Sequence, residues 1–454
     1  MKKFIIKTLG CKVNQCESEA IRNALVESGR GIASGDEGGA DVVIVNTCSV
    51  TRKAAMQSRQ AVRQAIRANP DARIVVTGCH AQTAAAEMAA IDGVDLIVGN
   101  RDKHMIPRRI LSQLPEHADG AVPTECSDTD RPGTNRIDQF EMLPAMATGS
   151  RTRPFLKIQD GCDAYCTYCI VPHARGRSRS LPMDQVLKQI EQLGRLGYRE
   201  VVLTGIHIGC YGHDLTPATG LIELLCLIRE AGSIDRVRVS SIEPAELSDA
   251  IIDLACSGQD QSGRLCPHFH IPLQSGDDGI LKRMHRPYSR DDFKARVQRI
   301  IGRLPDAAIG VDTLIGFPGE TDAAFEHTYD LIRSLPVAYL HVFPFSAREG
   351  TPAFTFKDQV PAPVVKKRCA RMRRLGAKKR QEFYARHVGK AVTVLVEATR
   401  DRISGCLKGF SDNYIPVLFD GSDDLANTFQ PVEIKDISAD GVPAGVVFDR
   451  TTDG

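Results

Sequence analysis

The segment Cys162-x-x-x-Cys166-x-x-Cys169 places three thiols within eight residues, directly after an apolar run, Phe155–Gln159, that reads as a strand. Three thiolates this close can fold around one soft metal centre. An iron–sulfur cube contains four irons, so three cysteines leave one iron open to bind something else, which is a catalytic feature. Structural zinc usually takes four protein ligands in two pairs, and no second C-x-x-C completes such a set here. Zinc and plain packing stay as the alternatives. A loop after a strand is also where a β/α fold carries its chemistry, so the motif constrains architecture as well as cofactor.

The surrounding pattern agrees. From Arg153 to about Lys357 there are six strand candidates: Phe155–Gln159, Val201–Thr204, Arg236–Ser241, His268–Ile271, Ile309–Ile315 and Tyr339–Phe343. Helical patterns separate them, at Met183–Leu196, Leu221–Arg229, Ala245–Leu254, Arg290–Arg303 and Ala323–Ser334. This predicts a partial (β/α)6 barrel with its site at the C-terminal strand ends. Upstream, Lys3–Leu9, Val42–Asn46, Ile74–Gly78 and Leu96–Gly99 alternate with helical Glu17–Ser28 and Arg52–Arg67, the rhythm of a doubly wound parallel sheet. Downstream the period changes to two at Ala391–Glu397, Gly405–Lys408, Tyr414–Phe419 and Val432–Ile434, as in a small β-barrel.

The fold class is therefore α/β with three parts, in line with about 150 residues per domain in a chain of 454. The expected boundaries are 1–115 for the N-terminal sheet, 116–150 for a Pro- and Gly-bearing connector, 151–375 for the barrel and 376–450 for the small β-barrel. Hydrophobic residues at 42% and charged residues at 25% support packed cores, and a net charge of +2 excludes a histone-like polycation. Lys7 interrupts the apolar run after Lys3, so no signal peptide is expected. No stretch approaches the ~18 apolar residues of a membrane span, and a cytoplasmic protein is expected. In a reducing compartment, clustered cysteines lean toward metal ligation or catalysis.

Fourteen cysteines are present. Three of them, Cys11, Cys48 and Cys79, each stand just past a predicted strand of the N-terminal sheet. In a doubly wound sheet those ends share one edge, so the three can converge on a second site. Singly, each reads as a small buried hydrophobe. Cys210, Cys226, Cys256, Cys266, Cys369, Cys406 and Cys126 have no partner spacing and are assigned to packing. The histidines show no metal-binding pair.

The C-x3-C-x2-C motif, with Tyr168 before its last cysteine, resembles that of the radical S-adenosylmethionine enzymes. Together with Thr8-Leu9-Gly10-Cys11-Lys12-Val13-Asn14, Asn46-Thr47-Cys48 and Thr77-Gly78-Cys79, it resembles the methylthiotransferases over essentially the whole chain. The resemblance implies an auxiliary [4Fe-4S] cluster on Cys11, Cys48 and Cys79, a radical cluster on Cys162, Cys166 and Cys169, and a C-terminal TRAM domain that binds RNA. Lys12-Val13 is similar to the branch acting on N6-threonylcarbamoyladenosine in tRNA. The prenyl-adenosine branch typically has Gly-Cys-Gln-Met-Asn here and the ribosomal-protein branch Gly-Cys-Pro-Lys-Asn. Leu203–His207 and Gly409–Tyr414 are similar to the same branch. Cys16 departs from the pattern and is read as inert.

The implied reaction uses two S-adenosylmethionine molecules per turnover: one methylates a sulfur at the auxiliary cluster, and the other yields the radical that activates C2 of the adenine. A sulfur donor and a reductant such as flavodoxin or ferredoxin are implied partners. Candidate cofactor contacts are Tyr168, Ser240, Ser241, Glu243, Gln274 and Asp312, with turn chemistry as the competing reading. Arg175, Arg177 and Arg179 follow the cluster loop as candidate anion contacts or a solvated loop. The Lys366–Arg380 segment holds nine cations and no acid. Its Lys366, Lys367, Arg371 and Arg374 are expected at RNA phosphates, and Phe410 and Tyr414 either stack on bases of a tRNA anticodon loop or belong to the core. The competing readings are a methylthiotransferase for another tRNA adenosine or a ribosomal protein, an electron carrier, and a zinc-stabilised RNA-binding module.

Overall fold

A computed structural model of the chain describes residues 2–29, 31–33, 39–111, 124–125, 140, 151–257, 262–438 and 441–447. Most of the connector expected over 116–150 lies outside the described residues, as does the expected end at 448–450.

The N-terminal sheet contains β1 (Lys2–Thr8), β2 (Gly31–Ala33), β3 (Val42–Thr47), β4 (Arg73–Gly78), β5 (Leu96–Val98) and β6 (Thr124–Glu125), all parallel in the order β2-β1-β3-β4-β5-β6. Every residue of β3 is buried, as expected of a β-branched strand covered on both faces. Val43, Val45 and Val76 pack on one face with Val62 and Ala65 of α2 (Arg52–Ala68). Ile44, Val75 and Val98 pack on the other with Ile21 and Leu25 of α1 (Lys12–Glu27). The sheet is thus doubly wound. Strands β2 and β6 were not anticipated, being too short to show a period, and β6 brings part of the expected connector back onto the sheet.

The central unit contains β7 (Phe155–Lys157), β8 (Gln159–Asp160), β9 (Arg179–Ser180), β10 (Glu200–Thr204), β11 (Arg236–Val239), β12 (Arg264–Leu265), β13 (His268–Gln274), β14 (Ala308–Ile315) and β15 (Tyr339–Pro344). Two parallel sheets, β12-β11-β10-β7 and β13-β14-β15, are joined by a parallel bridge from Ser241 to His270. The six expected strands therefore form one curved half-barrel. The expected Phe155–Gln159 strand divides, since β8 turns away to pair antiparallel with β9. The helix expected from Ala245 starts at Asp249, where the Ser248 side chain caps it by accepting from the Ile251 N–H.

The small barrel closes as β16-β17-β18-β20-β19, from β16 (Ala391–Val396), β17 (Leu407–Ser411), β18 (Pro416–Phe419), β19 (Phe429–Ile437) and β20 (Pro443–Val447). β20 was not anticipated because Pro443 and Gly445 mask its alternation. The barrel sits against the N-terminal ends of the half-barrel strands. There the buried Arg236 donates to the Thr393 carbonyl at 2.8 Å and Arg238 to that of Asp412 at 2.8 Å. The basic helix, Ala362–Ala385, runs unbroken across the boundary expected at 375. Its Cys369, Met372 and Leu375 join the central core, while Phe383 joins the core of the small barrel.

A buried ion network clamps the N-terminal sheet to the half-barrel. Arg175, at the end of the short helix Val171–Arg175, is fully enclosed and donates to Glu17 of α1 at 3.0 Å, Asp160 at 2.9 Å and Asn14 at 2.6 Å. Lys157 bridges the same two carboxylates at 3.1 and 3.2 Å, and Lys103 pairs with Glu17 from the other side. Burial alone would raise both carboxyls. Arg175 and Lys157 outweigh it, with Lys103 at Glu17 and Arg179 at Asp160, and hold both well below the usual carboxylate range.

Because the folded values are depressed, the contribution of these two carboxylates to stability is complete above their unfolded values near 4. It is lost as pH falls below them. Urea unfolding should therefore show a steep acid-side loss starting near pH 4. Arg175→Met should cost about 3–5 kcal/mol at neutral pH by stranding buried carboxylates, and should flatten that acid slope. An unchanged slope would show that the network does not govern it.

Candidate active site

Cys11, Cys48 and Cys79 follow β1, β3 and β4, which are neighbours in the sheet. The strand order reverses at β1, so the crevice beside the C-terminal ends of β1 and β3 is the ligand site such a sheet provides. Two glycines let the loops converge. A Cβ on Gly10, at φ +98°, would lie 2.9 Å from the Cys48 sulfur, and one on Gly78, at φ +99°, would lie 2.3 Å from the Thr47 carbonyl oxygen. The asparagines of the same motifs stitch the loops together. The Asn14 amide donates to the Leu9 and Thr47 carbonyls at 2.8 and 2.9 Å, and the Asn46 amide donates to the Asn14 carbonyl at 2.9 Å. Burial, with Cys79 and Cys11 beside it, pushes the Cys48 thiol up to about 11, so metal loading there releases a proton.

Cys162, Cys166 and Cys169 lie in the loop after β8. Gly161, at φ +74°, admits the Arg177 carbonyl where a Cβ would lie only 1.9 Å from it. The Cys162 N–H donates to the Gly176 carbonyl at 3.1 Å, and the Cys169 N–H to that of Cys166 at 2.9 Å. Tyr168 packs edge-on against Phe317 in the turn after β14, centroids 6.4 Å apart. The two cysteine loops share one wall. The Asn100 amide lies 3.8 Å from the Cys79 sulfur and donates to the Ala174 carbonyl at 2.7 Å, while Arg175 lies between the loops in the field of Cys79 and Cys11. Two sets of three thiols, each leaving one corner of a cube unligated, fit two iron–sulfur clusters with an open iron apiece.

Several partners of this site have no local signature in the sequence. Arg286 donates to the Cys166 sulfur at 3.2 Å and to the Tyr288 oxygen at 3.0 Å, and pairs with Glu243. His207 lies 3.4 Å from the Cys162 sulfur and 2.6 Å from Glu246. Burial alone would lower its imidazole, but Cys162, Cys210 and Glu246 carry it up to about 12. Cys210, assigned to packing from its lack of partner spacing, is instead 3.6 Å from His207 and donates to Glu246 at 3.3 Å. His207 and Cys210 are three residues apart on one turn, and Glu246 joins them only through the fold. Cys16 is half-buried on α1, its sulfur donating to the Phe155 carbonyl at 3.3 Å.

Ser240, Ser241 and Glu243 stand in the turn that ends β11, and Gln274, at φ +63°, ends β13. The buried Ser240 hydroxyl has no hydrogen-bond partner, which fits a ligand contact. Glu243 is engaged by Arg286. Asp312 lies in the half-barrel lumen three residues before the end of β14, held by His270 at 2.8 Å and His341 at 3.1 Å.

On the basic helix, Lys366, Lys367 and Arg374 are exposed. Arg371 pairs with Glu326 and stacks over Tyr329 at 4.1 Å, so it is already committed within the protein. Of the two readings open for Phe410 and Tyr414, the geometry favours packing within the protein. Their rings stack on each other at 5.0 Å, with Arg153 over Phe410 at 4.0 Å and His268 against Tyr414 at 4.6 Å. Both serve the seam between the small barrel and the half-barrel.

Residues 3–99 match the uncharacterized protein family UPF0004 and residues 156–332 the Radical SAM superfamily. A solved structure of a radical S-adenosylmethionine methyltransferase, TsrM from Kitasatospora setae, aligns with TM-score 0.57 and 16% identity over 78% of this chain and 77% of that one, a likeness of fold. The chain is 38% identical to the threonylcarbamoyladenosine tRNA methylthiotransferase of Bacillus subtilis, over 96% of this chain and 94% of that protein. It is 34% identical to that of Aquifex aeolicus, over 92% and 97%. A tRNA-2-methylthio-N(6)-dimethylallyladenosine synthase from Maricaulis maris is 32% identical over 96% and 95%. The chain belongs to the tRNA methylthiotransferase family of radical S-adenosylmethionine enzymes.

Anaerobic reconstitution with iron and sulfide should load about eight irons per chain. Cys11→Ala and Cys162→Ala should each retain about four. Stoichiometric zinc in place of iron in the wild type would overturn the two-cluster assignment.

Proposed function

We propose that this enzyme transfers a methylthio group to C2 of N6-threonylcarbamoyladenosine at tRNA position 37, next to the anticodon. The reading is carried by the identity of 34–38% to threonylcarbamoyladenosine tRNA methylthiotransferases across more than nine-tenths of the chain. The sheet-edge triple and the radical loop, brought to one wall, support it. Cys11, Cys48 and Cys79 hold one [4Fe-4S] cluster, and Cys162, Cys166 and Cys169 the other. With S-adenosylmethionine bound, a cluster held by Cys162, Cys166 and Cys169 would supply one-electron chemistry, which suits a C–H bond that acid–base groups cannot open.

The chain's own residues set the stage for that chemistry. Arg286 donates to the Cys166 sulfur and the His207 ring nitrogen lies within hydrogen-bond distance of the Cys162 sulfur, and hydrogen bonds to cluster sulfurs tune reduction potential. The unpartnered Ser240 hydroxyl is available to a bound cofactor. Lys366 lines a groove of about 1020 Å³ between the N-terminus of α2 and the basic helix, together with Arg52, Lys53 and Arg373, and the exposed Lys367 and Arg374 stand on the same helix. This groove is the proposed path of the anticodon arm, and β16 to β20 form a TRAM-like RNA grip. A sulfur donor and an electron donor such as flavodoxin or ferredoxin complete the cycle. A tRNA-modifying role supports a cytoplasmic location, and no described helix is long and apolar enough to cross a membrane.

Nucleoside mass spectrometry of tRNA from a deletion strain should show threonylcarbamoyladenosine without its 2-methylthio form, restored by the wild-type gene. Cys162→Ala should abolish cofactor cleavage, whereas Cys11→Ala should retain cleavage and lose methylthio transfer. Persistence of the methylthio nucleoside in the deletion strain would refute the substrate. Separately, tRNA affinity should fall steeply with salt, and Lys366→Gln or Arg374→Gln should each reduce the log–log slope by about 1. An unchanged slope would remove that side chain from the phosphate path.

A further inference from the structure

Lys12 follows Cys11 in the chain and opens α1, yet its side chain lines a cavity of about 250 Å³ shared with Arg151, Arg153, Phe155, Arg238 and Tyr414. Three of these neighbours are cations, and each has its own anion: Arg151 pairs with Glu19, Arg153 with Glu397 and Arg238 with Glu200. Lys12 has no hydrogen bond or ion pair among the described residues. The nearby acid whose field reaches it, Asp312, is already held by His270 and His341. A half-buried ammonium facing two guanidiniums without a counter-ion is unfavourable, and it is relieved by an anion brought in from outside.

The proposed substrate carries such an anion. An N6-threonylcarbamoyl group ends in a carboxylate, whereas a prenyl group ends in hydrocarbon. In adenine, C2 and C6 flank N1, and C6 carries N6. A base that presents C2 to sulfur at the Cys11 loop therefore carries its N6 substituent toward the adjoining wall, where Lys12 stands. We propose that Lys12 is a specificity-determining residue, its ammonium pairing with the carboxylate of the N6 substituent while Arg153 and Arg238 add to the attracting field. The inference rests on the function proposed above and deepens it, by naming the group in this chain that separates an acidic from an apolar substituent. The exposed His341 pairs with Asp312 from the neighbouring strand β15.

The test compares binding of two anticodon stem–loop RNAs to the full, iron-loaded chain under anaerobic conditions. One carries N6-threonylcarbamoyladenosine and the other its threonine amide, which keeps the shape and removes the charge. Wild type should prefer the acid by about tenfold or more, the range of a charged hydrogen bond. Lys12→Met should bind both RNAs equally, near the wild-type affinity for the amide, in a preparation whose iron content matches that of wild type. Should Lys12→Met fail to load iron, Lys12→Gln is put through the same comparison. A retained preference for the acid in the variant overturns the inference, as does the absence of that preference in wild type. If wild type does not distinguish the threonylcarbamoyl RNA from one with unmodified adenosine, the substrate assignment fails, and this inference fails with it.

Discussion

The enclosed guanidinium of Arg175 is the point through which the two halves of the molecule are fixed to each other. It arises from the helix just after the radical loop and reaches Glu17 and Asn14 on α1, one turn beyond Cys11. A charge this deeply buried is tolerable only with well-placed carboxylates, and Glu17 and Asp160 supply them from opposite sides of the interface. The network holds four cations, Arg175, Arg179, Lys157 and Lys103, against two carboxylates. That local positive excess lies beside cysteines that become thiolates when metal binds. The same groups that hold the interface together therefore favour an anionic centre at its edge.

Geometry makes the cysteine sets complementary. One is compact, set by a single loop pinched at Gly161. The other depends on sheet order, since only adjacency of β1, β3 and β4 brings residues 11, 48 and 79 together. Glycines at 10 and 78 and the asparagines at 14 and 46 then close the remaining gaps. The motif residues flanking each cysteine thus have structural tasks of their own.

Both triples could be read from the sequence because strand ends in a doubly wound sheet are predictable and close cysteine spacing is conspicuous. The six half-barrel strands were legible for the same reason: their β-branched runs are bounded by amphipathic helices. Arg175, Arg286, His207 and Cys210 were not singled out for the roles they have, since their partners lie between 36 and 161 residues away or are reached through the fold alone. Phe410 and Tyr414 show a different ambiguity. An aromatic in a small barrel looks the same whether it meets a base or a seam, and here Arg153 and His268 occupy the faces that a base would need. β20 escaped because a strand carrying Pro and Gly has no visible alternation.

The uninterrupted helix Ala362–Ala385 gives the molecule a property that neither of its ends has alone. Its first turns are locked into the half-barrel core and its last turn into the small barrel, so the span between the two is set by a rigid rod. Inserting or deleting one turn of the helix would displace the small barrel by about 5.4 Å along the rod and pull the Thr393 and Asp412 carbonyls off the Arg236 and Arg238 guanidiniums that hold them.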